Sequence, residues 1–146
     1  MPVKPPLYLQ KTEYSCAPAC LRMVLASFGI LKTEQELCVL CDCNAWGTDA
    51  FKLVEAARNL GFTNTRKYNL TWDELKAELD RGLYPIVYIR TQLAPDTLFQ
   101  EHAIVVTEIT MDEVRILDPT RGETSFLRTD FLREWGLMRQ LTILVE

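Results

Sequence analysis

Two patterns of apolar spacing divide the chain. From Ala17 to Phe28, apolar residues (Ala17, Cys20, Leu21, Val24, Leu25, Phe28) recur at steps of three and four, the spacing of one helical face. Ser15 or Cys16 stands at the N-cap of this predicted helix, Pro18 falls in its first turn, and Gly29 suits the position after its end. The spacing of Thr33 and Glu36 is that of a capping box and predicts a second helix running to about Cys41. A third helix follows "WGTD", with Ala50, Leu53, Val54, Ala57 and Leu60 on one face before Gly61. A second box, Thr71 to Glu74, predicts a short fourth helix that stops at Gly82.

Beyond Gly82 the pattern changes. "YPIVYIR", "HAIVVTEI", "EVRILD" and "TSFLR" are rich in β-branched and aromatic residues and are separated by turn signals. "PTRGE" reads as a turn, the residues around Met111 and Asp112 close a hairpin, a last helix covers roughly Thr129 to Trp135, and "RQLTILV" is a closing strand. Helices first and an antiparallel sheet second is the α+β pattern. The expectation is a single domain over residues 1–146, with a helical part at about 15–82 and a sheet part at about 83–146. A hydrophobic content of 48% in 146 residues suffices for one packed core. The longest connection without a pattern of its own is "TQLAPDTLFQ", residues 91–100, which reads as a loop beside a site.

A net charge of -4, with no basic run interleaved with aromatics, speaks against a nucleic-acid surface. "MPVKPPLYLQ" has no apolar core of a signal peptide, and no segment approaches the length of a membrane span. The chain is therefore expected in the cytoplasm without direct membrane insertion. There, five cysteines read as thiols, metal ligands or catalytic groups rather than as a disulfide framework, and their odd number forbids full pairing within one chain.

Cys16 is the first candidate for chemistry. A thiol attacks as thiolate, and the free N–H groups and macrodipole at a helix start favour an anion there. A small buried core residue is the alternative for a cysteine at this place. The chain owns one imidazole, His102, at the head of the apolar run "HAIVV". Asp118 ends the next strand. With a three-residue hairpin loop Ile109 pairs with Glu113, so Ile104 faces Asp118, and residues 102 and 118 become diagonal neighbours on one face. A carboxylate there would hold the imidazole's tautomer and stabilise the imidazolium formed when the ring takes a thiol proton. Asp118 before Pro119 also has the pattern of an ordinary turn-starting aspartate. Gln10, six residues before Cys16, is either a surface residue or an amide donor to a developing oxyanion, with the backbone N–H of Cys16 as the second donor.

Taken together, "Q-x5-C-A-P-A-C-L-R-M", "G-T-D-A-F-K-L-V-E-A-A-R-N-L-G", "Y-P-I-V-Y-I", "H-A-I-V-V" and "I-L-D-P-T-R-G" resemble the bacteriocin-processing (double-glycine leader) cysteine peptidases, which are papain-like. These occur as the peptidase domain of peptide-exporting ABC transporters and as freestanding proteins. The resemblance runs from Gln10 to about Trp135 and implies a papain-like fold, with a cysteine-bearing helical part packed on an antiparallel sheet bearing histidine and aspartate. It further implies Cys16 as nucleophile, His102 as general base and acid, Asp118 as orienting group and Gln10 as oxyanion donor. The substrate implied is a peptide cut after a Gly-Gly type leader, with an amphipathic leader helix held in a hydrophobic groove. An exporter of the ABC class is the implied partner, and no cofactor is. One departure is plain: the family usually carries "D-C-G" about the cysteine, and here it is Ser15-Cys16-Ala17. The chain also stops where a transporter's membrane domain would begin, so coupling to export is not expected within it.

Cys38, Cys41 and Cys43 form "CVLCDC". Three thiols in this spacing are candidates for a soft metal, but a closed site needs a fourth ligand, for which Cys20 is one candidate and His102 another only at the expense of catalysis. The alternative places Cys38 and Cys41 on a buried face with Leu37 and Leu40, and Cys43 in a loop. A Cys16–Cys20 disulfide would strain the first helical turn. Three rivals to the peptidase remain at this point. They are a papain-like acyltransferase or amidase, a non-catalytic leader-binding or regulatory module, and a metal-binding regulator built on "CVLCDC".

Overall fold

The computed structural model describes residues 2–146. Its helices are α1 (Cys16–Ser27), α2 (Glu34–Leu40), α3 (Ala50–Asn59), α4 (Trp72–Asp80) and α5 (Arg128–Gly136). Its strands are β1 (Arg66–Asn69), β2 (Ile86–Thr91), β3 (Gln100–Ile109), β4 (Glu113–Asp118), β5 (Gly122–Leu127) and β6 (Leu141–Leu144). The strands form one antiparallel sheet in the order β1-β6-β2-β3-β4-β5.

The starts of the helices follow from their side chains. Thr33 and Thr71 accept from the backbone N–H of Glu36 and Glu74, and both boxes are closed by the reciprocal glutamate bond. Asp49 caps α3 through Phe51 N. The chain leaves α1 through Gly29, whose φ of +83° suits glycine.

Alternation along the central strands divides the interior in two. Ile86, Tyr88, Ala103, Val105, Leu117 and Ile143 join α1, α2 and α3 in one core. Val87, Ile89, Ile104, Val106, Val114 and Ile116 join α4 and α5 in another, around the rings of Phe131 and Trp135, which meet at a tilt of 34°. The sheet is thus covered on both faces. The architecture is α+β, with helices and an antiparallel sheet as the sequence implies.

Three details depart from the sequence pattern. First, the stretch 15–82 is not purely helical: β1 lies within it and pairs with β6 at the sheet edge. Its residues are mostly exposed, so no apolar alternation marks it. Second, α4 lies on the sheet face opposite α1–α3. Third, Ile109 pairs with Val114 rather than Glu113. A bulge between Val106 and Glu108 takes up the extra residue and restores Val106 opposite Ile116 and Val105 opposite Leu117. The two deviations cancel before the strands reach His102 and Asp118. Among the described residues no helix is long and apolar enough to cross a membrane.

Candidate active site

Cys16 opens α1 and is half-buried. Ser15 before it is fully buried, yet its hydroxyl makes no capping bond to the helix. With φ -103° and ψ 27° the residue lies outside the extended conformation usual for an N-cap. Its Oγ accepts instead from Thr12 N at 3.2 Å and Thr12 Oγ1 at 2.8 Å, and donates towards Glu34 Oε2 at 3.2 Å. The first helical bond is Ala19 N to Ser15 O, at 3.0 Å. Pro18 has no N–H, so the uncapped donors of the first turn belong to Cys16 and Ala17. The positive end of the helix dipole is therefore open beside the thiol.

His102, in β3, and Asp118, at the end of β4, are 3% and 0% exposed. Continuing the register from Val105 and Leu117 by one step sets Ile104 against Asp118 and makes His102 its diagonal neighbour. His102 Nε2 meets Asp118 Oδ1 at 2.7 Å. The same oxygen accepts from Thr120 N at 2.8 Å and Arg121 N at 3.2 Å, while Oδ2 accepts from Arg121 Nε at 2.6 Å. Asp118 is both the turn-starting aspartate and the histidine's partner, so the two readings of its sequence context hold together.

Burial by itself lowers the pKa of His102, but the hydrogen bond to Asp118, then that to Cys16, and the charges of both outweigh it. The result is pushed up to about 9, and the ring holds a proton at neutral pH. Burial raises the pKa of Asp118, and the His102 bond and charge, with Arg121 and Thr120 N, overcome this and hold it well below the usual carboxylate range. With Nε2 committed to Asp118, Nδ1 is the nitrogen left for sulfur. Ala103 and Val105 share a core with α1, against which Cys16 also packs, and this holds the start of β3 to the helix.

Gln10 is fastened to the turn that follows Asp118. Its N–H donates to Pro119 O at 2.8 Å, and its Oε1 accepts from Thr120 Oγ1 at 2.8 Å. That second bond orients the amide, whose Nε2 donates one hydrogen to Thr12 O at 2.8 Å and has another to give. Gln10, Thr12, Leu93, Gln100 and Thr120 are among the residues lining a cleft of about 610 Å³. Leu93 of the β2–β3 connection lines the same cleft as Gln10 and Thr120. A thiol at an open helix start, a protonated imidazole held by a carboxylate, and an oriented amide at a cleft together suit acyl transfer to sulfur.

The peptidase C39 family matches residues 4–145. The chain belongs to this family. It is a cysteine peptidase, built on the papain-like fold. The C39 chain is 29% identical over 128 residues to the lactococcin-G-processing and transport ATP-binding protein LagD of Lactococcus lactis subsp. lactis; this covers 86% of the chain and 17% of that relative. An uncharacterised protein of Methanothermobacter thermautotrophicus is 28% identical over 127 residues, covering 87% of the chain and 80% of that protein. Among solved structures, the peptidase domain of Streptococcus ComA, a bifunctional ABC transporter of a quorum-sensing pathway, superposes with a TM-score of 0.81 at 28% identity, covering 98% of both chains. A double-glycine-motif protease from an AMS/PCAT transporter, solved with its leader peptide, agrees in fold with a TM-score of 0.79 at 21% identity.

The C39 chain also corrects the reading of "CVLCDC". Cys41 is buried in the core with Leu37, whereas Leu40 is exposed and Cys38 only half-buried. Cys43 Sγ turns back to donate to Tyr14 O at 3.7 Å. Among the described residues no three His, Cys, Asp or Glu side chains are grouped so as to hold a metal ion. Burial and the neighbouring thiols push Cys38 and Cys41 up to about 12. All five cysteines are free, Cys16 and Cys20 included. Arg121 and Glu34 join the site although no pattern marked them. Arg121 sits in a turn rich in polar residues, and Glu34 reads as an ordinary acid of a helix's first turn.

Proposed function

We propose that this peptidase is an endopeptidase that cuts after small residues, at the end of a Gly-Gly type leader, with Cys16, His102, Asp118 and Gln10 as its machinery. The pairing of a buried His102–Asp118 couple with a thiol at an uncapped helix start carries the reading. The proton held on His102 Nδ1 beside sulfur leaves Cys16 to attack the scissile carbonyl as thiolate. The carbonyl oxygen becomes an oxyanion, received by Cys16 N–H and the second hydrogen of Gln10 Nε2. As the tetrahedral adduct collapses, the C–N bond breaks and the leaving amine takes the Nδ1 proton, leaving a thioester. Water then gives a proton to Nδ1 while its oxygen attacks the thioester. Collapse releases the carboxyl product and restores the thiolate–imidazolium pair. Asp118 keeps Nε2 protonated throughout and so presents Nδ1 to sulfur in both half-reactions.

The leader-type substrate is supported by the double-glycine-motif protease that shares this fold, and by LagD, whose name joins processing with transport. A precursor peptide in the cytoplasm and an ABC exporter are the partners this reading names. The chain spans 17% of LagD, and a link to transport is part of this proposal. Incubation with paired peptides carrying Gly-Gly or Leu-Leu at one site, followed by mass spectrometry, tests the reading. Cleavage after Gly-Gly alone, abolished in Cys16→Ala and His102→Ala, is the expected result. Cleavage that survives in Cys16→Ala would sink it.

A further inference from the structure

Glu34 is 3% exposed, at the first position of α2, and its carboxylate faces the chain that leads into the nucleophile helix. Both of its oxygens accept from Lys11 N, at 3.1 and 3.0 Å, and Oε2 also lies 3.2 Å from Ser15 Oγ. A buried carboxylate is costly unless such donors satisfy it, so its place calls for a role. Ser15 is where that role becomes visible. Serine at an N-cap ordinarily turns its hydroxyl to the N–H of the second or third helical residue. In α1 the third residue is Pro18, which has no N–H, so the one available target is Ala17. The hydroxyl does not take it. It is held away from the helix among Thr12 and Glu34, and Thr12 is part of the segment that Glu34 anchors through Lys11 N.

We infer that Glu34 is a positioning residue that keeps the first turn of α1 uncapped, so that its backbone N–H groups serve the Cys16 sulfur and the oxyanion. The inference rests on Cys16 as nucleophile. It adds that the openness of the helix mouth is enforced from α2, through Ser15, rather than being a property of α1 alone. Removing the carboxylate takes away one partner of Ser15 Oγ and, with Lys11 N, the anchor of the segment whose Thr12 holds the rest. Residue 15 is then free to turn to the extended N-cap conformation and cap Ala17 N–H, which takes one donor from the anion and strengthens the helix at the expense of the chemistry. The same loss disappears when residue 15 has no hydroxyl.

The test compares wild type, Glu34→Ala, Glu34→Gln, Ser15→Ala and the double variant Glu34→Ala/Ser15→Ala, each checked for folding by circular dichroism. The readouts are the rate of Cys16 alkylation by iodoacetamide at pH 7, and kcat and KM on a Gly-Gly peptide. Glu34→Ala is expected to lower the alkylation rate and kcat about tenfold, the loss of one anion-directed hydrogen bond, with KM within about twofold. Glu34→Gln, which keeps the volume and an acceptor, stays within about threefold of wild type, the scale of a weakened neutral contact. Adding Ser15→Ala to Glu34→Ala recovers most of the loss. Wild-type rates in Glu34→Ala, or no recovery in the double variant, overturn the inference. If Glu34→Ala does not fold, Glu34→Asp replaces it: the shorter carboxylate withdraws from Ser15, and the same loss and the same recovery by Ser15→Ala are required. A wild-type Cys16 that alkylates no faster than Cys38 would instead overturn the nucleophile assignment itself, which separates the two failures.

Discussion

His102 Nε2 and Asp118 Oδ1 lie 2.7 Å apart, and the same carboxylate closes the turn that carries Thr120 and Arg121. Three N–H groups and the Arg121 guanidinium converge on one fully buried residue. Orientation of the imidazole and closure of the β4–β5 turn are therefore a single structural event. Because Gln10 is in turn bonded to Pro119 and Thr120, this turn also ties the amide donor to the imidazole's anchor.

Substituting Asp118 separates these duties. Asp118→Asn keeps the size and a carbonyl acceptor but loses the charge that stabilises imidazolium. Its kcat/KM is expected to fall by about 10²–10⁴, the range for loss of effective acid–base assistance, with modest change in stability. Asp118→Ala also strands the Arg121 guanidinium and the ring, and unfolds more easily by about 3–5 kcal/mol, as when one partner of a buried pair is removed. Kinetics on the Gly-Gly peptide together with urea titration check both. Equal stability of the two variants would show that the turn does not depend on the carboxylate.

Stability should vary with pH in a direction set by the same pair. The pKa of His102 is raised from 6.5 to about 9 in the folded chain, so its contribution is complete below about 6.5 and is lost as pH rises through about 9. Asp118 is shifted the other way, and its contribution is complete above the ordinary carboxylate range and is lost as pH falls below it. Both are whole between roughly pH 4.5 and 6.5, the interval between the ordinary values of the two groups. Urea unfolding at pH 6 and pH 9.5 is expected to differ by up to about 3 kcal/mol from His102 alone, at about 1.4 kcal/mol per pKa unit. The difference should shrink in His102→Gln, and peptide cleavage should decline over the same alkaline interval as the imidazolium loses its proton.

Much of this site is legible in the sequence because its parts lie on elements with strong patterns. Cys16 stands before a regular apolar stripe, and the alternation of "HAIVV" and "EVRILD" places His102 and Asp118 within reach once a register is chosen. The structure reaches the predicted register by a different route, a longer loop compensated by a bulge. A bulge leaves no composition signal when, as at Thr107, the extra residue is an ordinary strand former. β1 is silent for the opposite reason, since an exposed edge strand needs no apolar face. Glu34 and Arg121 are hidden because their importance comes from where their carboxylate and guanidinium reach across the fold, which local spacing does not encode.

The bulge makes a further prediction. Val106 pairs with Ile116 on one side of it and Glu108 with Arg115 on the other. Deleting Thr107 therefore joins two registers that already agree, and leaves Val106 and Ile109 on the face that packs against Phe131 and Trp135. The deletion removes one side-chain hydrogen bond, from Thr107 Oγ1 to Arg115 O at 3.3 Å. The shortened chain should fold, with stability lowered by about 1 kcal/mol for that bond and the altered twist, and should retain peptide cleavage. Thermal melting and the Gly-Gly peptide assay suffice. An inactive, folded product would mean that the twist imparted by the bulge, rather than the register alone, brings His102 to Cys16.

Gln10 and Thr120 offer the sharpest division between doing chemistry and preparing for it. Gln10→Ala removes the amide and should cost about 10²–10³ in kcat, the usual effect of losing one oxyanion donor. Gln10→Glu replaces a donor by an acceptor at the same place and should be no better. Thr120→Val leaves the amide but deletes the hydroxyl that fixes Oε1, so Nε2 is free to rotate away from the oxyanion. Its kcat should fall by only about 3–10-fold, comparable to one neutral hydrogen bond, with KM little changed. In the Gln10→Ala background the Thr120 substitution should then have no further effect, because the group it orients is gone. Additive losses in the double variant would assign Thr120 a role of its own in the cleft and remove the link between Gln10 and the Asp118 turn.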